Sequence, residues 1–61
     1  MTLREIRETF DDCWIIAYHN DEEYREKYNE ITDEMWERQV NVATASQNDI
    51  TQEIEISCDL L

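Results

Sequence analysis

The apolar run at residues 13–18 is the feature that most constrains the fold of this chain, because all six of its side chains are apolar. A helix of a small protein normally shows apolar residues on one side only. A run this short, apolar at every position, suits a β-strand covered on both faces. We therefore expect an inner strand of a sheet, with Trp14 in the core.

The residues before this run predict a helix. Thr2 can cap a helix, and Glu5, three positions later, can reach back to the capping residue. Leu3, Ile6 and Phe10 fall on one face at helical spacing. We expect a helix over about residues 3–10, ended by the two aspartates that follow.

The residues after the run favour a turn, because Asn20 and Asp21 tolerate left-handed backbone and bond to nearby amides. The next segment, about residues 22–38, permits two interpretations. Apolar and aromatic residues recur at helical spacing, at Tyr24, Tyr28, Ile31 and Met35. That spacing predicts one helix. Tyr24 and Tyr28 also alternate with Glu26, which instead predicts a strand over about residues 23–28, followed by a short helix over about residues 33–37.

The carboxyl-terminal third predicts a hairpin with one solvent-exposed face. Val40 and Val42 alternate with polar or small residues, and residues 46–49 have turn chemistry. The second strand alternates apolar with polar side chains, its apolar positions being Ile50, Ile54, Ile56 and Cys58.

Together these elements predict a single α+β domain over residues 1–61. We expect an antiparallel sheet of three to four strands, an amino-terminal helix and a short second helix. A domain of this size hides only about 60% of its unfolded surface, which leaves little room to enclose an active site. The chain has no glycine, and this excludes the P-loop and the dinucleotide fingerprint.

The charge is strongly negative, with 16 Asp and Glu against 5 Lys and Arg and a net charge of -11. The few cations are scattered among acids, which disfavours direct binding to nucleic acid or to anionic membranes. No run of about 18 apolar residues exists to span a bilayer, and the first ten residues do not resemble a signal peptide. We expect a soluble protein of the cytoplasm.

Catalysis and metal binding have weak support. His19 is the only imidazole, and Cys13 would lie about 20 Å from it along a strand. A zinc site built from Cys13, His19, Cys58 and one carboxylate matches no known ligand spacing. We expect no enzymatic activity, cofactor or metal, and we expect both cysteines to be reduced, buried thiols.

The whole pattern resembles that of a known group of proteins. It consists of Thr2 to Ile6, the Asp11 and Asp12 pair, the apolar strand, the charged segment with Tyr24 and Tyr28, and the Val40 and Ile54 to Ile56 strands. In this order the chain is similar to a loose group of small acidic proteins encoded by bacteriophages and mobile elements. The resemblance implies a helix, a hairpin, a short helix and a second hairpin. It also implies an inhibitor of host nucleases, defence complexes or transcription machinery.

The candidate binding residues come from the densest acidic stretch and the tryptophan within it: Asp21, Glu22, Glu23, Glu26, Glu30, Asp33, Glu34, Trp36 and Glu37. Glu53 and Glu55, two apart on a strand, would stand about 6.7 Å from each other, near the spacing of successive phosphates.

This charge supports the hypothesis of a non-enzymatic inhibitor that blocks the basic surface of a host protein by imitating DNA. An acidic face can also simply keep a small domain in solution. The alternative function is a self-associating structural or scaffold protein, a possible homodimer, that pairs through sheet edges.

Overall fold

Two short helices and four strands make up the protein, and the computed structural model describes all residues from 1 to 61. The elements are α1 (Leu3–Thr9), β1 (Cys13–His19), β2 (Glu22–Arg25), one turn of 3₁₀ helix (Glu26–Tyr28), α2 (Asp33–Trp36), β3 (Val40–Gln47) and β4 (Ile54–Leu60). The strands form one sheet in the order β2-β1-β4-β3. The α+β prediction is confirmed. Neither helix is long and apolar enough to cross a membrane.

The sheet is mixed, so the prediction of a purely antiparallel sheet is wrong. β1 pairs antiparallel with β2, and β4 pairs antiparallel with β3, but β1 and β4 run parallel. This arrangement places Ile15 beside Ile56 and Ala17 beside Cys58 at the centre of the sheet. The two strands richest in buried side chains therefore take the inner positions, where most apolar surface is removed from water.

The core lies between one face of the sheet and the helices. Leu3 and Ile6 from α1 and Met35 from α2 pack against buried side chains of β1 and β4. Thr2 and Glu5 form the expected capping box at the start of α1. Phe10, however, does not face the core as expected and is 48% exposed. It is the residue at which the helix ends, and its backbone has left the helical conformation.

β1 is an inner strand, as predicted, but only one of its faces is covered by helices. Trp14 and Ile16 point to the other face, and Trp14 is half-buried there rather than part of the core cluster. Ile16 is nevertheless only 5% exposed. The Arg25 side chain reaches from β2 across β1 to Glu55 on β4, 3.4 Å between Nη1 and Oε2. Ion-paired side chains thus take the place of the second apolar layer that the sequence suggested.

The segment at residues 22–38 adopts the second of its two predicted forms, a strand followed by a short helix. β2 ends at Arg25, earlier than expected, because the chain tightens into the 3₁₀ turn. α2 begins after Thr32, whose hydroxyl accepts a hydrogen bond from the Met35 N–H. One long helix is excluded by Asn29, whose φ of 58° lies in the left-handed region.

Asparagine and aspartate supply the left-handed residues of the first hairpin, in a chain without glycine. Asn20 and Asp21 have φ values of 53° and 65°, and they join the paired residues His19 and Glu22. Two consecutive residues with positive φ form the turn that matches the twist of a two-residue hairpin. The predicted turn is confirmed.

The second hairpin differs from the prediction at its turn. Ser46 and Gln47 belong to β3, and the connection spans residues 48–53. Asn48 organises it, because its Oδ1 accepts the N–H groups of Ile50 and Thr51. Ile50 therefore lies in the turn, 93% exposed, and not on a strand face. β3 is also more exposed than expected, with solvent on both faces along most of its length.

We predict that the end of the 3₁₀ turn requires a residue at position 29 that tolerates left-handed backbone. Asn29→Gly keeps the left-handed backbone accessible, so the free energy of unfolding should change by no more than about 0.5 kcal/mol. Asn29→Val places a β-branched side chain there and should cost about 1–2 kcal/mol. Urea unfolding of both variants measures the difference. Equal stability of the two variants would contradict the role assigned to Asn29.

Candidate protein-binding surface

Every cationic side chain of the protein is paired with a carboxylate. The pairs are Arg4 with Glu37 (2.6 Å), Arg7 with Glu26, Arg25 with Glu23 (2.5 Å) and Glu55 (3.4 Å), Lys27 with Glu53 (3.0 Å), and Arg38 with Glu34 (2.9 Å). No Lys or Arg is left to attract an anionic partner. Ten of the 16 acids have no cationic partner: Glu5, Glu8, Asp11, Asp12, Asp21, Glu22, Glu30, Asp33, Asp49 and Asp59.

The nine residues selected from the sequence divide into two groups in the structure. Asp21, Glu22, Glu30 and Asp33 are exposed and have no ionic partner, whereas the other four acids, Glu23, Glu26, Glu34 and Glu37, are all ion-paired. Trp36 is half-buried and packs against the core cluster. The acidic stretch therefore contains both structural carboxylates and carboxylates available to a partner.

The Glu26 carboxylate is mostly buried and bonds only to groups of the protein itself. Its Oε1 pairs with the Arg7 guanidinium of α1 and accepts the Ile15 N–H of β1 at 3.2 Å. β2 ends one residue earlier, so the Glu26 carboxylate replaces the backbone acceptor that a longer β2 would have offered Ile15. The Glu26 side chain is only 20% exposed. It holds the helix, the inner strand and the 3₁₀ turn together.

Glu30 covers the outer edge of β2 at Arg25. Its side chain accepts the Arg25 N–H at 2.7 Å, and its own N–H donates to the Arg25 carbonyl at 3.1 Å. Arg25 therefore has no free backbone group to offer another strand. Edge strands commonly carry charge and local cover of this kind, which prevents pairing with other chains.

Glu53 and Glu55 do not form an unpaired row of negative charges. Lys27 pairs with Glu53, and Trp14 Nε1 also donates to that carboxylate. The hydrogen bond from Lys27 is the main cause that lowers the pKa of Glu53, and the same bond raises the pKa of Lys27. Since Arg25 contacts Glu55, each carboxylate is largely neutralised by its neighbour. The pair is a poor imitation of two phosphates.

The structure brings one further acid, Asp59, next to an acid predicted from the sequence, Asp21. Asp59 of β4 and Asp21 of the first turn line one open concavity of about 500 Å³, together with Tyr18 and His19. Because β1 and β4 run parallel, their carboxyl-terminal ends lie side by side at the same end of the strands. That pairing has no local signal in the sequence, so Asp59 could not be assigned to this group in advance. We call Tyr18, His19, Asp21, Glu22 and Asp59 the turn surface.

The thiols and the imidazole do not form a nucleophilic pair. Burial raises the pKa of Cys58 to about 11, and burial is also the main cause that raises the pKa of Cys13. Both cysteines are free, with Cys58 buried and Cys13 half-buried. Both are therefore protonated near neutral pH, and thiols in that state are weak nucleophiles. No three His, Cys, Asp or Glu side chains converge as they would around a metal ion.

We predict that Glu26 stabilises the fold, unlike an acid without partners. Glu26→Ala leaves the Arg7 guanidinium and the Ile15 N–H without their acceptor, so the free energy of unfolding should fall by about 2–3 kcal/mol. Glu8→Ala removes the same charge from an exposed site and should change it by no more than about 0.5 kcal/mol. Chemical unfolding at one salt concentration compares them. A similar midpoint for the two variants would refute the structural role of Glu26.

Comparison of the chain with models of known families, with curated proteins and with solved structures found no match. What the protein can bind is therefore inferred from its own surfaces. These are the unpaired carboxylates, the turn surface and the backbone groups at the edges of the sheet.

Proposed function

We propose that the protein is a non-enzymatic interaction protein that binds a basic surface of another protein and blocks it. The observation that carries this proposal is the complete internal pairing of the cations, which leaves ten carboxylates without a cationic partner. A field of one sign attracts a partner of the opposite sign and speeds its encounter. The same imbalance costs stability through self-repulsion, a cost that a binding function would explain.

The turn surface is the part of the molecule best suited to this contact. Asp21 and Asp59 line its concavity and have no ionic partner to displace. Glu22 follows Asp21 in the chain and lies on the opposite face of the sheet from Asp59. Its carboxylate accepts only the Tyr24 hydroxyl, at 2.7 Å. Tyr18 supplies a half-buried ring. A few rings amid complementary charge are typical of residues that dominate binding energy and fix register.

The partner we propose is a nucleic-acid-binding protein of a host cell, such as a defence nuclease. Its basic groove would accept the carboxylates in place of phosphates, and this is DNA mimicry in the sense of charge rather than of shape. The resemblance to small acidic phage proteins supports a phage-encoded inhibitor that acts in the host cytoplasm. Glu53 and Glu55 are less suited to this contact than the turn surface, because each already pairs with a cation of the protein.

We predict that charge reversal at the turn surface abolishes binding. Glu22→Lys with Asp59→Lys changes the net charge from -11 to -7, and so does the control, Glu8→Lys with Asp49→Lys, at unpaired acids elsewhere. Each immobilised protein is incubated with bacterial lysate at low salt, and the proteins retained are identified. Wild type and control should retain the same nucleic-acid-binding protein, and the turn-surface variant should retain at least about tenfold less, a loss of about 1.4 kcal/mol.

Two further measurements on the purified partner decide between mimicry and other contacts. Duplex DNA should displace the partner from the wild-type protein, and affinity should fall steeply as ionic strength rises, since opposite charges are screened. Equal retention by both double variants would refute the turn surface as the contact. A partner that DNA does not displace, or one whose affinity is insensitive to salt, would refute the proposed mimicry.

A further inference from the structure

The outer edge of β3 is the one long stretch of this acidic protein without charge. Residues 39–48 contain no Asp, Glu, Lys or Arg, and they also lack proline, which would interrupt strand pairing. β3 lies at the end of the sheet, so only one of its edges is paired, with β4. Its side chains are mostly exposed and small or neutral. From Ala43 to Gln47 no charged side chain, proline or bulge protects this edge.

The hydrogen bonds at the two ends of β3 identify which backbone groups face outward. At one end the Asn48 N–H donates to the Glu53 carbonyl at 2.8 Å, and at the other the Leu61 N–H donates to the Gln39 carbonyl at 3.0 Å. Hydrogen-bonded pairs alternate along an antiparallel ladder. Residues 44 and 46 therefore bond to β4. Ala43, Ala45 and Gln47 direct their N–H and C=O groups away from the sheet.

The amino-terminal residues limit this edge at one end. The Val40 N–H donates to the Met1 carbonyl at 2.8 Å, and Thr2 forms a bridge with Gln39. This cover ends at Val40, where a bulge also interrupts the ladder. From Ala43 to Gln47 the outward groups have no partner within the chain. We call these five residues the open edge.

The opposite edge of the sheet is short, charged and covered at Arg25. β2 has only four residues, three of them charged, and Glu30 occupies both backbone groups of Arg25. The same protein thus blocks one edge with charge and local hydrogen bonds and leaves the other neutral and free. An unprotected edge of this kind is a template for another strand.

We propose that two copies of the chain pair through the open edge. A two-fold axis midway between the two Ala45 residues places Ala43 against Gln47 of the second copy and Ala45 against its own equivalent. Each of the three outward-facing residues is then opposite an outward-facing residue of the second copy. Each such pair exchanges two backbone hydrogen bonds, which gives six in total. Thr44 and Ser46 face each other across the axis, and side chains of this size allow the strands to approach. The result is one continuous sheet of eight strands.

Charge favours a second copy as the occupant of this edge. Pairing through β3 puts the two β2 strands at opposite ends of the eight-stranded sheet, seven strand spacings or about 34 Å apart. That separation exceeds the Debye length of about 8 Å at physiological salt, so the β2 edges barely repel. The unpaired acids nearest the open edge are Asp49 and Asp59, one in the turn after β3 and one on β4 beside Val42. A basic partner would find no carboxylate within the edge itself.

The decisive variant is Ala45→Pro. It removes an N–H that points outward, at the kind of edge position where strands tolerate proline, and leaves the ladder to β4 intact. Ala45→Ser keeps the N–H and is the matched control. By sedimentation from about 10 µM to about 1 mM, wild type and Ala45→Ser should pass from monomer to dimer, and Ala45→Pro should stay monomeric. Circular dichroism at the lowest concentration checks that both variants are folded.

Amide exchange and salt provide readouts that do not depend on proline. Exchange at Ala43, Ala45 and Gln47 should slow at least about tenfold between the lowest and highest concentration, whereas Thr44 and Ser46 should be protected throughout. Raising ionic strength from about 0.1 M to about 1 M shortens the Debye length from about 10 Å to about 3 Å and should increase the dimer fraction.

A wild-type protein that is monomeric at every concentration and salt would overturn the proposal. So would a dimer that Ala45→Pro forms as well as Ala45→Ser does, because its interface would lie elsewhere. The turn surface is untouched by both variants, so binding of a basic partner can succeed or fail independently of this result. The two proposals also respond oppositely to salt.

Discussion

The parallel pairing of β1 with β4 is the interaction on which the rest of the structure depends. It places Ile15 and Ala17 beside Ile56 and Cys58, and the two helices cover this pair of strands on one face. Only two neighbouring strands can be inner strands in a sheet of four, so β2 and β3 become the edges. The positions of the turn surface and of the open edge both follow from this choice.

The few cations of the protein are used to build the fold. Arg7 joins α1 to Glu26, and Arg25 crosses β1 and shields Ile16 on the face without helices. Such contacts contribute modestly when exposed, but here they also cover apolar surface and link separate elements. Because the cations are consumed in this way, the outward field is set by the remaining carboxylates. The ion pairs therefore supplement the small core, and by using all the cations they leave the surface with an excess of negative charge.

The two edges of the sheet give the molecule two different sides. The β2 side is acidic and blocked at Arg25, because Glu30 satisfies both backbone groups of that residue. The β3 side is neutral from residue 39 to residue 48 and open from Ala43 to Gln47. Opposite charges would draw a basic protein to the turn surface, whereas backbone hydrogen bonds would join like to like at the open edge. Neither contact requires the other, and their geometries are compatible.

Local chemistry in the sequence determined the capping box of α1, the turn at Asn20 and Asp21, the apolar inner strand and the overall α+β class. It could not decide that β1 and β4 run parallel, since strand direction depends on how the connection through α2 crosses the sheet. It also could not separate Glu26 and Glu30 from the free acids around them, because their partners are chosen by packing. The composition alone gives the net charge, but only the tertiary structure decided which carboxylates hold the protein together and which have no cationic partner.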